Sequence, residues 1–138
     1  MNELYLVDTS VWTRRRKPPV AERLISLLDA GRVATCAILD LEHMRQVQSA
    51  AAIEALVDTR ASLHWLATPD EVWDRILEVQ GELSSTGRRT AVKIPDLILA
   101  AVAERHRAAV LHYDKDFDTI AEITGQPAEW VVPAGAAD

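Results

Sequence analysis

Four acidic residues stand at points where a folded chain could collect them. Asp8 closes the apolar run 4–7, Asp114 follows the apolar run 109–113, Asp96 follows Pro95 at the start of a helical stretch, and Glu42 lies one or two turns into the helical segment after residues 33–36. Asp116 follows two residues behind Asp114. In open parallel sheets the loops at the carboxyl ends of the strands converge on one crevice, so these side chains can meet there. Grouped carboxylates repel one another, and a divalent cation or shared protons must compensate. A set of hard oxygen ligands favours Mg²⁺, with Mn²⁺ as a substitute, over zinc. Metal-assisted hydrolysis or phosphoryl transfer is the chemistry such a cluster performs.

Read singly, each acid has a plainer explanation. Asp8, followed by Thr9 and Ser10, suits a helix cap. Asp96 complements the positive end of a helix dipole. Asp114, Asp116 and Asp118 alternate in a Tyr-Asp-Lys-Asp-Phe-Asp run, and turns enrich aspartate for local hydrogen bonding. Glu42 alone reads as a solvated helix residue, while its neighbour Asp40 lies about 200° away around the axis and should point elsewhere. The joint pattern carries the functional reading. His43, His64, His106 and His112 are scattered without zinc spacing and read as structural or exposed.

The elements that must position these acids alternate along the chain. Short apolar runs at 4–7, 33–36, 63–66, 109–113 and 130–132 read as strands. Between them, helical spacing predicts helices over 20–30 with Gly31 as a stop, from 38 to 45, over 50–61, from Pro69 towards Gly87, from Pro95 onward, and in a short final stretch. Proline is placed at the first helical position after Thr68. Strands alternating with helices predict one α/β domain with a mainly parallel sheet covered on both faces.

A chain of 138 residues, 49% apolar, fits a single core over 1–138, with the Ala/Gly-rich residues 134–138 expected to fray. Cys36 is the sole cysteine, and the opening Asn2-Glu3 lacks a basic segment followed by an apolar run, so the cytoplasm is the expected compartment. No stretch approaches the roughly 18 consecutive apolar residues of a membrane span. The net charge of −6 opposes binding to nucleic acid unless the clustered acids are metal ligands. The bases are themselves grouped, Arg14 to Lys17 in one run and Arg88, Arg89 and Lys93 in another just before Asp96. Each group is either a solvated face or a contact for phosphates.

Taken in order, Leu6-Val7-Asp8-Thr9-Ser10, Glu42, Ile94-Pro95-Asp96-Leu97-Ile98-Leu99-Ala100-Ala101 and His112-Tyr113-Asp114-Lys115-Asp116-Phe117 resemble the PIN-domain ribonucleases, and more narrowly the VapC toxins of bacterial toxin-antitoxin pairs. The closing stretch from Gly125-Gln126 to Trp130-Val131-Val132-Pro133 is similar as well. The resemblance implies a parallel sheet of about five strands, a Mg²⁺-dependent endoribonuclease site, a small VapB-like antitoxin, and a homodimer within a toxin–antitoxin hetero-oligomer. It assigns the acidic quartet to Asp8, Glu42, Asp96 and Asp114, with Asp116 as an outer or alternative ligand and Thr9 or Ser10 orienting the first acid. Within that set Asp8 and Asp96 are expected to hold the principal ion, and Glu42 and Asp114 to act through water or on a second ion. Arg88, Arg89 or Lys93 would steer RNA phosphates. One departure is Leu39, three residues before Glu42, where relatives often carry a hydroxyl. The chemistry suits the residue types independently, since phosphodiester hydrolysis needs an in-line water and charge stabilisation that carboxylate-held Mg²⁺ supplies. Two rival readings are a receiver-like phosphoryl-transfer domain and a non-catalytic PIN-like binding module. The first wants an acidic neighbour beside Asp8, and the second does not need the full quartet.

Overall fold

The computed structural model describes residues 3–138; Met1 and Asn2 of the expected 1–138 domain lie outside the described residues. In chain order the elements are β1 (Tyr5–Val7), α1 (Thr9–Trp12), α2 (Pro18–Asp29), β2 (Val33–Thr35), α3 (Ala37–Met44), α4 (Ala50–Ala61), β3 (His64–Trp65), α5 (Asp70–Ser85), α6 (Ile94–His106), β4 (Ala109–His112), α7 (Asp116–Thr124) and β5 (Ala128–Trp130). The five strands form one parallel sheet in the order β3-β2-β1-β4-β5. From β1 the chain builds outward through β2 and β3, then crosses back to lay β4 and β5 on the other side. The order therefore reverses between β1 and β4, which pair Tyr5 with Ala109, Leu6 with Val110 and Val7 with Leu111. At such a reversal the connections leave in opposite directions and open a crevice at the carboxyl ends of the strands.

The central strands read as unbroken apolar runs because both of their faces are covered. Leu6 and Val110 point into a core shared with Leu39 of α3, Val72, Val79 and Leu83 of α5, Leu99 and Val102 of α6, and Phe117 and Ile120 of α7. Their neighbours Tyr5, Val7, Ala109 and Leu111 point into the opposite core, against Val11, Val20, Leu24 and Leu27. The alternation is the period of a strand. Helix α6 is buried along most of its length between its neighbours, and this holds its amino end at the crevice.

Several boundaries differ from the sequence expectation. Pro69 is the residue before α5 and not its first helical residue, while Gly87 stops that helix as expected, just after the cap Thr86, with a φ of +77° and Arg88 N–H donating to the Leu83 carbonyl at 2.7 Å. Strand β5 spans Ala128–Trp130 and not 130–132, because its register on β4 pairs Val110 with Ala128 and His112 with Trp130. Helix α1 is a single turn, too short for periodicity to reveal. Helix α4 buries none of its side chains fully, and Ile53 and Val57 on it are exposed. Among the described residues no helix is long and apolar enough to cross a membrane.

The tail over 134–138, expected to fray, is docked. The Tyr113 hydroxyl accepts hydrogen bonds from the backbone N–H groups of Gly135 and Ala137, at 2.7 and 3.0 Å, and donates to the Asp138 carboxylate at 2.7 Å. The Arg14 guanidinium lies 4.5 Å from the centre of the Tyr113 ring and donates to the Ala137 carbonyl. Composition predicts fraying because it cannot register a single tyrosine that satisfies three polar groups at once. Tyr113→Phe should accordingly free the tail and cost about 1–3 kcal/mol by leaving N–H donors unpaired. Hydrogen exchange at Gly135 and Ala137 checks this, since protection equal to wild type would mean the hydroxyl does not hold the segment.

Candidate active site

Asp8 emerges from β1 into the crevice and caps α1. One carboxylate oxygen, Oδ2, accepts from the Ser10 backbone N–H at 3.0 Å and from the Ser10 hydroxyl at 2.5 Å. The other, Oδ1, is buried and has no hydrogen-bond partner. Capping thus occupies one oxygen of the side chain and leaves the other unpaired. The Ser10 hydroxyl also accepts from the Tyr113 backbone N–H at 2.9 Å, which ties the loop after β1 to the loop after β4. Ser10, rather than Thr9, is the hydroxyl that orients the acid. Burial pushes the Asp8 carboxyl up, the Ser10 bonds pull it down, and the charge of Asp114 pushes it up again.

Asp96 lies in the first turn of α6, buried to 4% exposure. Its Oδ2 is enclosed without a hydrogen bond, 3.3 Å from the Lys93 ammonium. Burial, a hydrogen bond with Asp116, and the charges of Asp8 and Asp114 push its carboxyl up to about 8, against the pull of Lys93. Asp116 moves the other way. Burial opposes its ionisation, but the proton on Asp96 and the ammonium and backbone N–H of Lys93 outweigh that and hold it below the ordinary carboxylate range.

Asp114 is fixed on three sides. Its Oδ1 accepts from the Asp116 N–H at 3.0 Å, its Oδ2 accepts from Lys93 Nζ at 2.8 Å, and its own N–H donates to Nδ1 of the fully buried His112 at 3.2 Å. Asp96, Asp114 and Asp116 each offer an oxygen within 4.8 Å of the others. Asp8 and Glu42 lie outside that tight set but feel its field. Glu42, half-buried on α3, is raised by burial and by the charge of Asp8, and lowered by Lys93. Asp116, which sequence reasoning placed at the edge of the quartet, is thus in the closest group.

The acids and histidines that sequence analysis set aside have structural work, and so do several of the bases it offered as phosphate contacts. Asp40 points away from the crevice, accepting from Thr35 at 2.7 Å and pairing with Arg60 at 2.6 Å. Asp118 accepts from the Trp130 indole, and His64 and His106 each bond a backbone carbonyl. Arg14, first of the basic run, is spent on Tyr113 and the tail. Arg88 pairs with Glu122 at 3.4 Å on the surface. Lys93 is the main departure from the sequence reading. Its ammonium lies among the acids, and burial, which would lower its pKa, is outweighed by its bonds to Asp114 and Asp116, which raise it. The spacing of Lys93 and Asp96, one helical turn apart, is the signal that could have revealed this.

The donor set is all oxygen, and two of its oxygens, on Asp8 and Asp96, are buried without hydrogen bonds. A buried acceptor left unpaired is costly, and a hard divalent cation satisfies it. The residues fit such an ion.

Comparison with known proteins bears on this geometry. The PIN-domain family profile matches residues 5–123. Ribonuclease VapC21 of Mycobacterium tuberculosis is 46% identical over 138 residues, covering 99% of this chain and all of the relative. Ribonuclease VapC51 of the same organism is 40% identical, covering 97% of each chain. Among solved structures, VapBC-1 from nontypeable Haemophilus influenzae superimposes with a TM-score of 0.74 at 20% identity, covering 93% of this chain and 98% of that one. The DNA-bound VapBC from Salmonella typhimurium gives 0.72 at 19%, covering 95% and 100%. These structures share the fold.

Proposed function

The chain belongs to the PIN-domain family, and from that premise we propose that it is a metal-dependent endoribonuclease of the VapC toxin type, restrained by a small VapB-like antitoxin. The observation that carries this reading is the convergence of Asp96, Asp114 and Asp116 within 4.8 Å, beside the unpaired Oδ1 of Asp8. Full-length similarity to ribonucleases named VapC21 and VapC51 supports the reaction class. Complexes named as VapBC share the fold and suggest the kind of partner.

Mg²⁺ is the proposed ion, with Mn²⁺ able to replace it. When bound, it supplies charge stabilisation to the phosphodiester and a water nucleophile at neutral pH. Asp96, Asp114 and Asp116 would hold it, while Asp8, oriented by Ser10, and Glu42 would act directly or through water. The Ser10 hydroxyl keeps Asp8 Oδ2 engaged and so leaves Oδ1 directed at the site. His112, accepting the Asp114 N–H, fixes the turn that presents Asp114. The half-buried Arg88 and the exposed Arg89 are proposed to meet RNA phosphates at the rim. The whole of 1–138 would act as one nuclease domain in the cytoplasm, as a homodimer within a toxin–antitoxin assembly.

The test is direct. Purified protein incubated with total RNA in millimolar Mg²⁺ should produce discrete new ends, and EDTA should abolish them. Expression alone should arrest growth, and co-expression of the small neighbouring open reading frame should restore it. RNA left intact in Mg²⁺ and Mn²⁺ by a correctly folded sample would remove the assignment.

A further inference from the structure

The Lys93 ammonium is 2.8 Å from Asp114, 2.9 Å from Asp116 and 3.3 Å from Asp96. It reaches them from the solvent side. The lysine side chain keeps 63% exposure, whereas those of Asp96 and Asp116 keep 6% and 8%. Its backbone N–H separately donates to Asp116 at 3.1 Å, so the carboxylate keeps a main-chain partner wherever the ammonium goes. A flexible four-carbon stem with an exposed head can turn into water without disturbing the core.

We propose that Lys93 is a displaceable internal counter-ion: its ammonium holds the cation position between Asp96, Asp114 and Asp116 in the ion-free protein, yields it to the divalent ion, and then meets a phosphate of bound RNA. This rests on reading the site as a metal-dependent nuclease centre. The single positive charge of Lys93 does not neutralise Asp114 and Asp116 together, and the 3.3 Å contact leaves Asp96 Oδ2 without a hydrogen bond. A divalent ion brings twice the charge and approaches oxygens to about 2.1 Å, closer than an ammonium can. The two cations repel, so Lys93 leaves when the ion enters. It is released at the mouth of the crevice, where a phosphate is its next available partner. Displacing it weakens the ion in free protein, and giving it a phosphate restores part of that cost. Metal and RNA therefore bind cooperatively, and the coupling is reciprocal.

Calorimetric titration of EDTA-stripped protein with Mn²⁺, and melting curves with and without the ion, test this. Lys93→Gln should bind Mn²⁺ about tenfold more tightly than wild type, the scale of one lost competing ion pair. In EDTA it should melt lower than wild type, because the acids lose their counter-ion, and it should gain more on Mn²⁺ addition. Lys93→Arg, whose planar fork grips carboxylates better, should fold and bind Mn²⁺ several-fold more weakly. A 2′-deoxy oligonucleotide shown to be intact after the titration should tighten Mn²⁺ binding in wild type and not in Lys93→Gln. Equal or weaker Mn²⁺ binding in a folded Lys93→Gln, or unchanged binding in Lys93→Arg, overturns the inference and leaves the lysine a fixed structural partner. Absence of Mn²⁺ binding by wild type overturns the site reading itself.

Discussion

Asp96→Asn should fold normally and cleave RNA about a hundred- to a thousandfold more slowly, the range for losing a principal electrostatic contributor in a closed site. The amide has the shape of the carboxylate and fills the same buried position in the first turn of α6. What is lost is the negative charge directed at the ion. In EDTA near neutral pH the same variant should melt above wild type, because the amide is neutral in both states, whereas the wild-type acid must keep in the fold a proton that the unfolded chain releases. Loss of activity joined to a gain in ion-free stability distinguishes a ligand from a residue that merely caps a helix. Undiminished cleavage by a folded variant would take Asp96 out of the site.

The second large effect is on pH. The Asp96 carboxyl is pushed up from 3.8 to about 8, with burial as the leading cause. Between those values the folded, ion-free protein holds a proton that the unfolded chain has released. Stability in EDTA should therefore fall as pH rises through this window and level off above about 8. Asp116, held below the ordinary carboxylate range, acts with the opposite sign in a separate, more acidic window, where its contribution fades as pH drops. With Asp96 as a ligand its proton must leave when the ion binds, so Mn²⁺ affinity should rise with pH by up to about tenfold per unit until about pH 8. Titrations at several pH values, beside Asp96→Asn as the proton-free control, measure this. A flat affinity between about pH 6 and 8 would show that Asp96 is already ionised in the ion-free fold.

Much of this site was legible before the fold was known. Asp8, Asp96 and Asp114 are found at junctions marked by apolar runs or by Pro95, and those marks are local in the chain. The parallel sheet followed from alternation, and its five strands from five short apolar runs, in agreement with the resemblance to PIN-domain proteins. What periodicity could not supply was anything set by cross-chain register. The start of β5 depends on β4, the docking of residues 134–138 depends on Tyr113, and the position of the Lys93 ammonium depends on where Asp114 and Asp116 lie after folding. The dual use of Asp8, with one oxygen on Ser10 and one free, likewise appears only when the two oxygens are seen apart. Capping and ligation looked like competing readings in the sequence and are compatible in the structure.

The reversal of strand order between β1 and β4 has a kinetic side. Asp8 and Asp114 come together only after the chain has closed a loop of about a hundred residues, a contact of high sequence separation that is formed slowly and at an entropic cost. During synthesis, a nascent chain that has not yet released β4 holds Asp8, Glu42 and Asp96 but has no partner strand to bring Asp114 and Asp116 beside them. The acidic group therefore stays incomplete until β4 and the loop after it have been made.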